Sequence, residues 1–520
     1  MRNLTYNLPG IWLALAFMGS VISCNHTPAG QTDPMSASYR ETWNPGVQAR
    51  IDQDIETYRK ADAVLKIEGL PAGTGVRVEQ VSHDFIFGAN IFNFNQLGSK
   101  ELNRKYKDLF GTLFNSATIP FYWKTFEMEP GNPRYTAEYR DTEEYWNQVE
   151  TPGSEPHWRR PAPGPILEFC EQKGIRAHGH PITWGIKKWH YPGWIYEDFC
   201  PENEKEILES LGEDGLDSLT PARIVEMAPV YCAEINRLFR KRITELAAYY
   251  GDRVDSWDVV NESAVDHENG RLIPGDIICK STEHLDYGLM PGDYAYETFK
   301  LANQLFPAHV LMNINDYLTN GSYADEVTDL VKRGCRIDVV GSQMHLFDPR
   351  LCLDIAEGKP IRTPEQVWNE MRILSKPGLP IHLSEITITS PGDDARGRAI
   401  QAIIARNLYR LWFSIERMMG ITWWNIVDGC GAPGEPSVSG LFTRDMEPKP
   451  SFFALDKLIN EEWKTRETVT VGDDGTARFR GFKGRYNVSW KDETGEEQHA
   501  TFYLKNDGDG LDLCITDTTN

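Results

Sequence analysis

The stretch VDSWDVVNE, residues 254–262, decides the fold. Its apolar residues, Val254, Trp257, Val259 and Val260, are β-branched or aromatic. It lacks the alternation of a strand with one wet face, so it reads as a strand buried on both faces. It ends on two polar residues, Asn261 and Glu262. The segment before it is an amphipathic helix, with Ile235, Leu238, Phe239, Ile243, Leu246, Ala247 and Tyr250 on one face at a period of about 3.6. A helix feeding a fully buried strand is the repeating unit of an α/β fold with a parallel sheet.

The same pattern recurs outward in both directions. FIFGANIF (85–92), FNSATIPFYW (114–123) and IRAHGHPITW (175–184) precede it. VLMNINDY (310–317), IDVVGSQMH (337–345), PIHLSEITI (380–388) and ITWWNIVDG (421–429) follow. Helical patterns lie between these runs. One opens at Thr363-Pro364-Glu365, an N-cap followed by proline at the first helical position. Eight such units predict a closed (β/α)8 TIM barrel over residues 85–463. A doubly wound open sheet is the alternative, but no Gly-rich phosphate turn follows the first strand.

The flanks read differently. Residues 61–81 suggest two strands around a turn rich in Pro and Gly, and residues 469–504 alternate like antiparallel strands with Asp-Gly and Lys-Gly turns. Together, residues 49–84 and 464–520 are expected to form one small accessory β-domain from the two ends of the chain.

The 520 residues are 40% hydrophobic and 25% charged, enough for a large core. Acids outnumber bases 76 to 54, for a net charge of −22, which excludes nucleic acid as a partner because phosphate binding needs a basic surface. The 15 Trp are assigned mainly to packing, the rest to platforms for flat apolar faces such as sugar rings. Residues 1–23 read as a signal peptide whose apolar run is too short to span a bilayer comfortably. It ends in Val21-Ile22-Ser23-Cys24, which resembles a bacterial lipoprotein box and predicts lipidation of Cys24. Residues 24–48 then read as a tether. The expectation is a monomer held to the cell envelope through that lipid. Of the eight other Cys none forms a CxxC pair, so zinc is not expected and several should be buried thiols.

In such a barrel the C-terminal strand ends carry the site. Here they present His178, His180, Trp184, Asn261, Glu262, Asn315, Asp316, Tyr317, Gln343, His345, Glu385, Trp424 and Asp428. Burying so many polar groups unpaired would cost about 1–3 kcal/mol each. Two carboxylates matter most. Glu262 closes the fourth strand and Glu385 lies in the seventh, across the mouth, so both can meet one bound molecule. Paired carboxylates with separate tasks, one a protonated acid and one ionised, are the signature of glycoside hydrolysis.

These motifs resemble glycoside hydrolase family 10, the retaining (β/α)8 xylanases, from about Phe85 to Trp463. The resemblance rests on Trp257-Asp258-Val259-Val260-Asn261-Glu262, Asn315-Asp316-Tyr317, Gly341-Ser342-Gln343-Met344-His345 and Ser384-Glu385, in order along successive strands. It implies an endo-1,4-β-xylanase with Glu262 as acid/base and Glu385 as nucleophile. It further implies that Asn261 bonds the 2-hydroxyl of the attacked sugar and that Gln343 and His345 orient Glu385. His180 and Trp184 would line the same subsite, Trp424 would be its floor, and Lys124 would donate from the second strand. No metal and no cofactor is implied.

The chain also departs from the family pattern. Pro120 and Phe121 stand where a Glu-Asn pair usually binds the second sugar on the glycone side. Gly185 and Lys187 replace His and Gln, and Thr387 replaces the Asp that pairs with His345. The loop GCGAPGEPSVSG (429–440) carries no Trp lid. Two long βα-loops overhang the active face: residues 131–165, and the segment after Glu262 with His267, Arg271 and Lys280. In the first, Trp158 with Arg159 or Arg160 is a candidate contact for acidic or arabinosyl branches. The leading expectation is therefore cleavage of internal bonds of a decorated xylan. The alternatives are another β-linked glycan attacked by the same mechanism, or end-on, and a non-catalytic carbohydrate-binding lipoprotein.

Overall fold

Eight parallel strands close into a barrel in the computed structural model, which describes residues 33–136, 138–281 and 288–513. They are β1 (Ile86–Asn90), β2 (Ser116–Pro120), β3 (Arg176–His180), β4 (Ser256–Asn261), β5 (Leu311–Asp316), β6 (Val339–Leu346), β7 (Ile381–Ile388) and β8 (Met418–Trp423). Each pairs in parallel with the next, and β8 closes on β1. All eight residues of β7 are buried, as expected of a strand covered on both faces. Gly179 in β3 lies against the indole of Trp257 in β4, and a Cβ there would come within 2.4 Å of the ring.

The helices form where their caps and faces require. Pro229–Tyr250 buries Ile235, Leu238, Phe239, Ile243, Leu246 and Tyr250. Thr363 opens Pro364–Leu374 with a capping box, its hydroxyl accepting from Gln366 N while the Gln366 side chain accepts from Thr363 N.

The N-terminal segment corrects the expected tether. Ser36 caps a helix over Ala37–Thr42, and Asn44 caps a second over Pro45–Arg59. Tyr39, Trp43, Ile51 and Ile55 are buried in the main core, so residues 35–59 belong to the barrel's outer layer. A run that looked polar holds enough spaced apolar residues to dock. Accessory strands begin only at Lys60. The signal segment, Cys24 and Cys514 lie outside the described residues.

The extra strands make two sheets around their own apolar core. Lys60–Ile67 pairs antiparallel with Thr476–Phe482 and parallel with Gly510–Leu513. Gly75–His83 pairs with Arg466–Thr470 and Gly484–Lys491, and the last pairs with Glu497–Leu504. Ala63, Leu65, Val76, Val78, Phe479, Tyr486, Val488 and Leu504 fill the space between. Lys483-Gly484 is not the expected hairpin turn. The chain changes sheets there, and Gly484, at φ 147, lies so close to the Ser82 carbonyl that a Cβ would meet it at 2.0 Å. The seven described Cys of the barrel region are all buried free thiols.

Candidate active site

Irregular pairing at the strand ends aims the site residues. The register shifts between Asn313 and Ile314 on β5 and between Ser342 and Gln343 on β6, and such bulges re-aim side chains. Asn261 lies beside Asn315, and Gln343 beside Glu385. Glu262 follows β4 in a left-handed conformation, φ 56, with its N–H bonded to Asn315 O at 2.7 Å.

Glu262 and Glu385 line one pocket of about 350 Å³ at the C-terminal ends of the strands. A chain of amides joins them. Asn315 Nδ2 donates to Glu385 Oε1 at 3.0 Å and to Asn261 Oδ1 at 2.8 Å. Gln343 Nε2 donates to Glu262 Oε1 at 2.9 Å and lies 3.5 Å from Asn261 Oδ1. Trp184 Nε1 donates to Glu262 Oε2 at 3.1 Å. His345 Nε2 is 3.4 Å from Glu385 Oε2, and its Nδ1 faces Thr387 Oγ1 at 2.9 Å. His345 thus orients toward Glu385 with a hydroxyl behind it. Gln343, assigned by resemblance to Glu385, bonds Glu262 instead.

Behind the pocket, Asp258 Oδ2 takes both His180 Nδ1 at 2.7 Å and His178 Nε2 at 3.0 Å. Burial alone would raise the Asp258 carboxyl, but the two imidazoles, His178 foremost, hold it well below the usual carboxylate range. A carboxylate only accepts, so both facing nitrogens carry protons. That fixes His180 with Nε2 turned toward Glu385 Oε1, 3.8 Å away. Asn261 Nδ2 is buried with no hydrogen-bond partner among the described residues, a donor open to a ligand. Trp424, Tyr122, Phe92 and Trp184 form a small apolar cluster in the wall.

Other candidates go elsewhere. Lys124 sits on the short helix Trp123–Phe126 and is exposed to solvent rather than in the pocket. Phe121 and Trp123 are drawn into the core on either side of Tyr122, which turns Lys124 outward. Tyr122, not Lys124, lines the pocket from this segment. Trp158 packs on Gly153 and does not line the pocket, whereas Arg159 and Arg160 do. Asp316 accepts from Ala264 N and Leu318 N, and Asp428 pairs with Lys449 at 3.0 Å, so both hold loops. Tyr317 is exposed. Lys280 donates to Asp217 O and Leu219 O, and Arg271 to Lys280 O, tying their loop to a neighbouring helix.

Sequence reasoning missed Tyr122, Ile186, Trp189, Phe347 and Glu435, all in the pocket lining. Phe347 is 37% exposed and stacks on His345 at 4.3 Å. It lies two residues past His345 on the same strand-to-loop path, which was the available signal. A larger cavity of about 690 Å³ opens at the opposite, N-terminal end of the barrel, lined by His178, His382, Arg59 and Arg176. It contains neither glutamate, whereas the smaller pocket contains both.

The model of Glycosyl hydrolase family 10 matches residues 103–458, and the chain belongs to that family. Among curated relatives, Endo-1,4-beta-xylanase 2 of Arabidopsis thaliana is 23% identical over 481 residues, covering 88% of this chain and 35% of that protein. Anti-sigma-I factor RsgI6 of Acetivibrio thermocellus is 22% identical over 328 residues, covering 62% of this chain and 34% of that protein. The chain thus spans about a third of the length of these relatives. Among solved structures, xylanase 10B from Thermotoga maritima is 18% identical, with a TM-score of 0.49, covering 73% of this chain and 96% of that one.

Proposed function

We propose that this chain is a retaining glycoside hydrolase that cleaves internal β-1,4-xylosidic bonds of xylan by double displacement. The observation that carries this reading is the single pocket shared by Glu262 and Glu385, bridged by Asn315, Asn261 and Gln343. Glu385, held by Asn315 and faced by His180 and His345, attacks the anomeric carbon. Glu262, braced by Trp184 and Gln343, gives its proton to the departing oxygen. A glycosyl-enzyme ester on Glu385 results. Glu262, now ionised, deprotonates a water that displaces Glu385, and the sugar leaves with its β configuration. Asn261 Nδ2 supplies a hydrogen bond to the sugar's 2-hydroxyl that strengthens as the oxocarbenium ion develops.

The test is hydrolysis of an aryl β-xyloside followed by proton NMR. The reading predicts β-xylose as the first product and loss of turnover in Glu385→Ala. Initial α-xylose would refute retention, and no turnover of any β-linked substrate would refute the activity. A second reading keeps the mechanism with another β-glycan or end-on attack. It is favoured by Pro120 and Phe121 standing where the family's Glu-Asn pair would hold a second xylose, with Tyr122 and Arg160 lining the pocket instead. Product sizing on a polysaccharide panel separates the two: mixed oligomers mean internal cleavage, and single-sized products mean end-on attack.

Anchoring of a monomer to the cell envelope through lipidated Cys24 is likewise a proposal, supported by the sequence alone. Incorporation of a labelled fatty acid that is lost in Cys24→Ala tests it.

A further inference from the structure

Two consecutive arginines enter the pocket from the loop between β2 and its helix, and only one is neutralised. Arg159 Nη2 donates to Asn425 Oδ1 at 2.7 Å, and Arg159 Nη1 lies 3.8 Å from Glu435 Oε2. Glu435 is fixed in turn by Asn425 Nδ2 at 2.8 Å and Ala432 N at 2.7 Å. Arg160 has no such partner. Its guanidinium carbon lies over the Tyr122 ring, 3.7 Å from the centroid, and 5.1 Å from that of Phe92. Its one hydrogen bond is from Nη1 to Arg159 O at 2.9 Å. No carboxylate lies within ion-pair distance of it among the described residues, although it is only 8% exposed. Its Nε and Nη2 are neither hydrogen-bonded nor sealed in protein, and the residue lines the pocket.

A buried cation without a counter-ion is costly. Burial, foremost, pulls the Arg160 guanidinium down to about 10, which leaves it charged at neutral pH. Stacking on Tyr122 fixes the plane of the guanidinium, and its free edge is a planar fork of donors that matches a carboxylate. The place is specific too. Tyr122 packs edge-on against His180, 5.4 Å between centroids, and His180 faces the nucleophile. Arg160 therefore stands one ring beyond the attacked sugar. The carboxylates lining the pocket all have other partners: Glu435 is bonded to Asn425 and Ala432 N, Glu385 to Asn315, and Glu262 to Trp184 and Gln343.

We infer that Arg160, stacked on Tyr122, is the carboxylate-reading element of a subsite for a uronic acid unit carried by the glycan next to the scissile sugar. This rests on the proposed xylanase reading and names the substrate class of the same site. It selects the acidic branch over the arabinosyl one, which offers only hydroxyls. A charge-assisted ion pair formed at a largely buried guanidinium discriminates an acid from its neutral isostere by about tenfold to a hundredfold.

The test uses a xylo-oligosaccharide bearing one glucuronic acid branch and the same compound with its carboxyl reduced to the alcohol. Dissociation constants for both are measured by titration calorimetry on the full chain carrying Glu385→Gln, which blocks turnover. The acid is expected to bind about tenfold or more tighter than the alcohol, with a ratio that shrinks as salt is raised. Adding Arg160→Gln should bring the ratio to near one, while Arg160→Lys keeps part of it. Equal binding of the two compounds by the Glu385→Gln chain overturns the inference whether or not the Arg160 variants fold. So does a ratio that survives in Arg160→Gln, or absence of binding by either compound. Hydrolysis of the aryl β-xyloside by the unaltered chain is scored separately, so loss of the acid preference with that hydrolysis intact removes only this inference.

Discussion

Glu262 holds a left-handed backbone, φ 56, which costs a residue with a side chain about 1–3 kcal/mol. The bond from its N–H to Asn315 O, and those from Trp184 and Gln343 to its carboxylate, hold it there. Strain kept by so many partners suits the proposed role of a group that meets the glycosidic oxygen from one direction. Under that proposal Glu262 is the acid and matters most when the leaving group is poor. Glu262→Ala should lower kcat by about 10²–10⁴ on xylo-oligosaccharides. On a dinitrophenyl β-xyloside, which departs without protonation, the first step should be nearly unaffected and the loss should appear in hydrolysis of the glycosyl-enzyme. Steady-state and burst kinetics on the two substrates check this, and equal losses on both would contradict the acid role. At this scale the pocket position of the two glutamates was legible because each sits in a polar motif of a buried strand, Glu262 just after β4 and Glu385 within β7. The place of Lys124 was not, because one residue of helical turn decides whether a side chain meets the pocket or the solvent.

Strand and helix boundaries follow from residues that tolerate little change. Gly179 has no room for a Cβ against Trp257, so Gly179→Ala should cost about 1–3 kcal/mol through forced repacking of β3 on β4. Thr363→Ala removes a capping box far from the pocket and should cost about 1 kcal/mol with kcat unchanged. Urea unfolding of both variants beside activity measurements checks the pair, and an unaltered midpoint in Gly179→Ala would show that the wall yields. The eight strands were readable because burial on both faces leaves short β-branched and aromatic runs without in/out alternation, recurring between amphipathic helices. The strand changeover at Gly484 was not, since a Lys-Gly pair reads equally well as a turn within one sheet or a step between two. The loop at 131–165 was read as an overhang of the site. In the structure its Trp146, His157, Arg159 and Arg160 are all buried, so it is a packed wall whose content depends on residues far away in sequence, such as Asn425 and Glu435.

Across the molecule, buried imidazoles tie stability to pH. His83, beside the junction of the accessory sheets and the barrel, and His382 in β7 are each pushed down to about 3, chiefly by burial. In the unfolded chain they return to about 6.5. Between those values the unfolded state binds protons that the folded state refuses. Stability is therefore full above about pH 6.5 and falls as pH drops toward 3. Urea midpoints should decline already between pH 6.5 and 5, before most carboxylates titrate, and the decline should be shallower in His382→Gln. Constant midpoints over that window would contradict it.

The two-glutamate account is tested most directly by trapping its intermediate. A 2-fluoro-xyloside with a dinitrophenyl leaving group slows both steps, the second more, so that the sugar stays on the nucleophile. Incubation with the full chain followed by peptide mass mapping should place one fluoroxylosyl group on Glu385 and none in Glu385→Ala. A label on any other residue, or aryl-xyloside turnover with no label at all, would contradict the assignment.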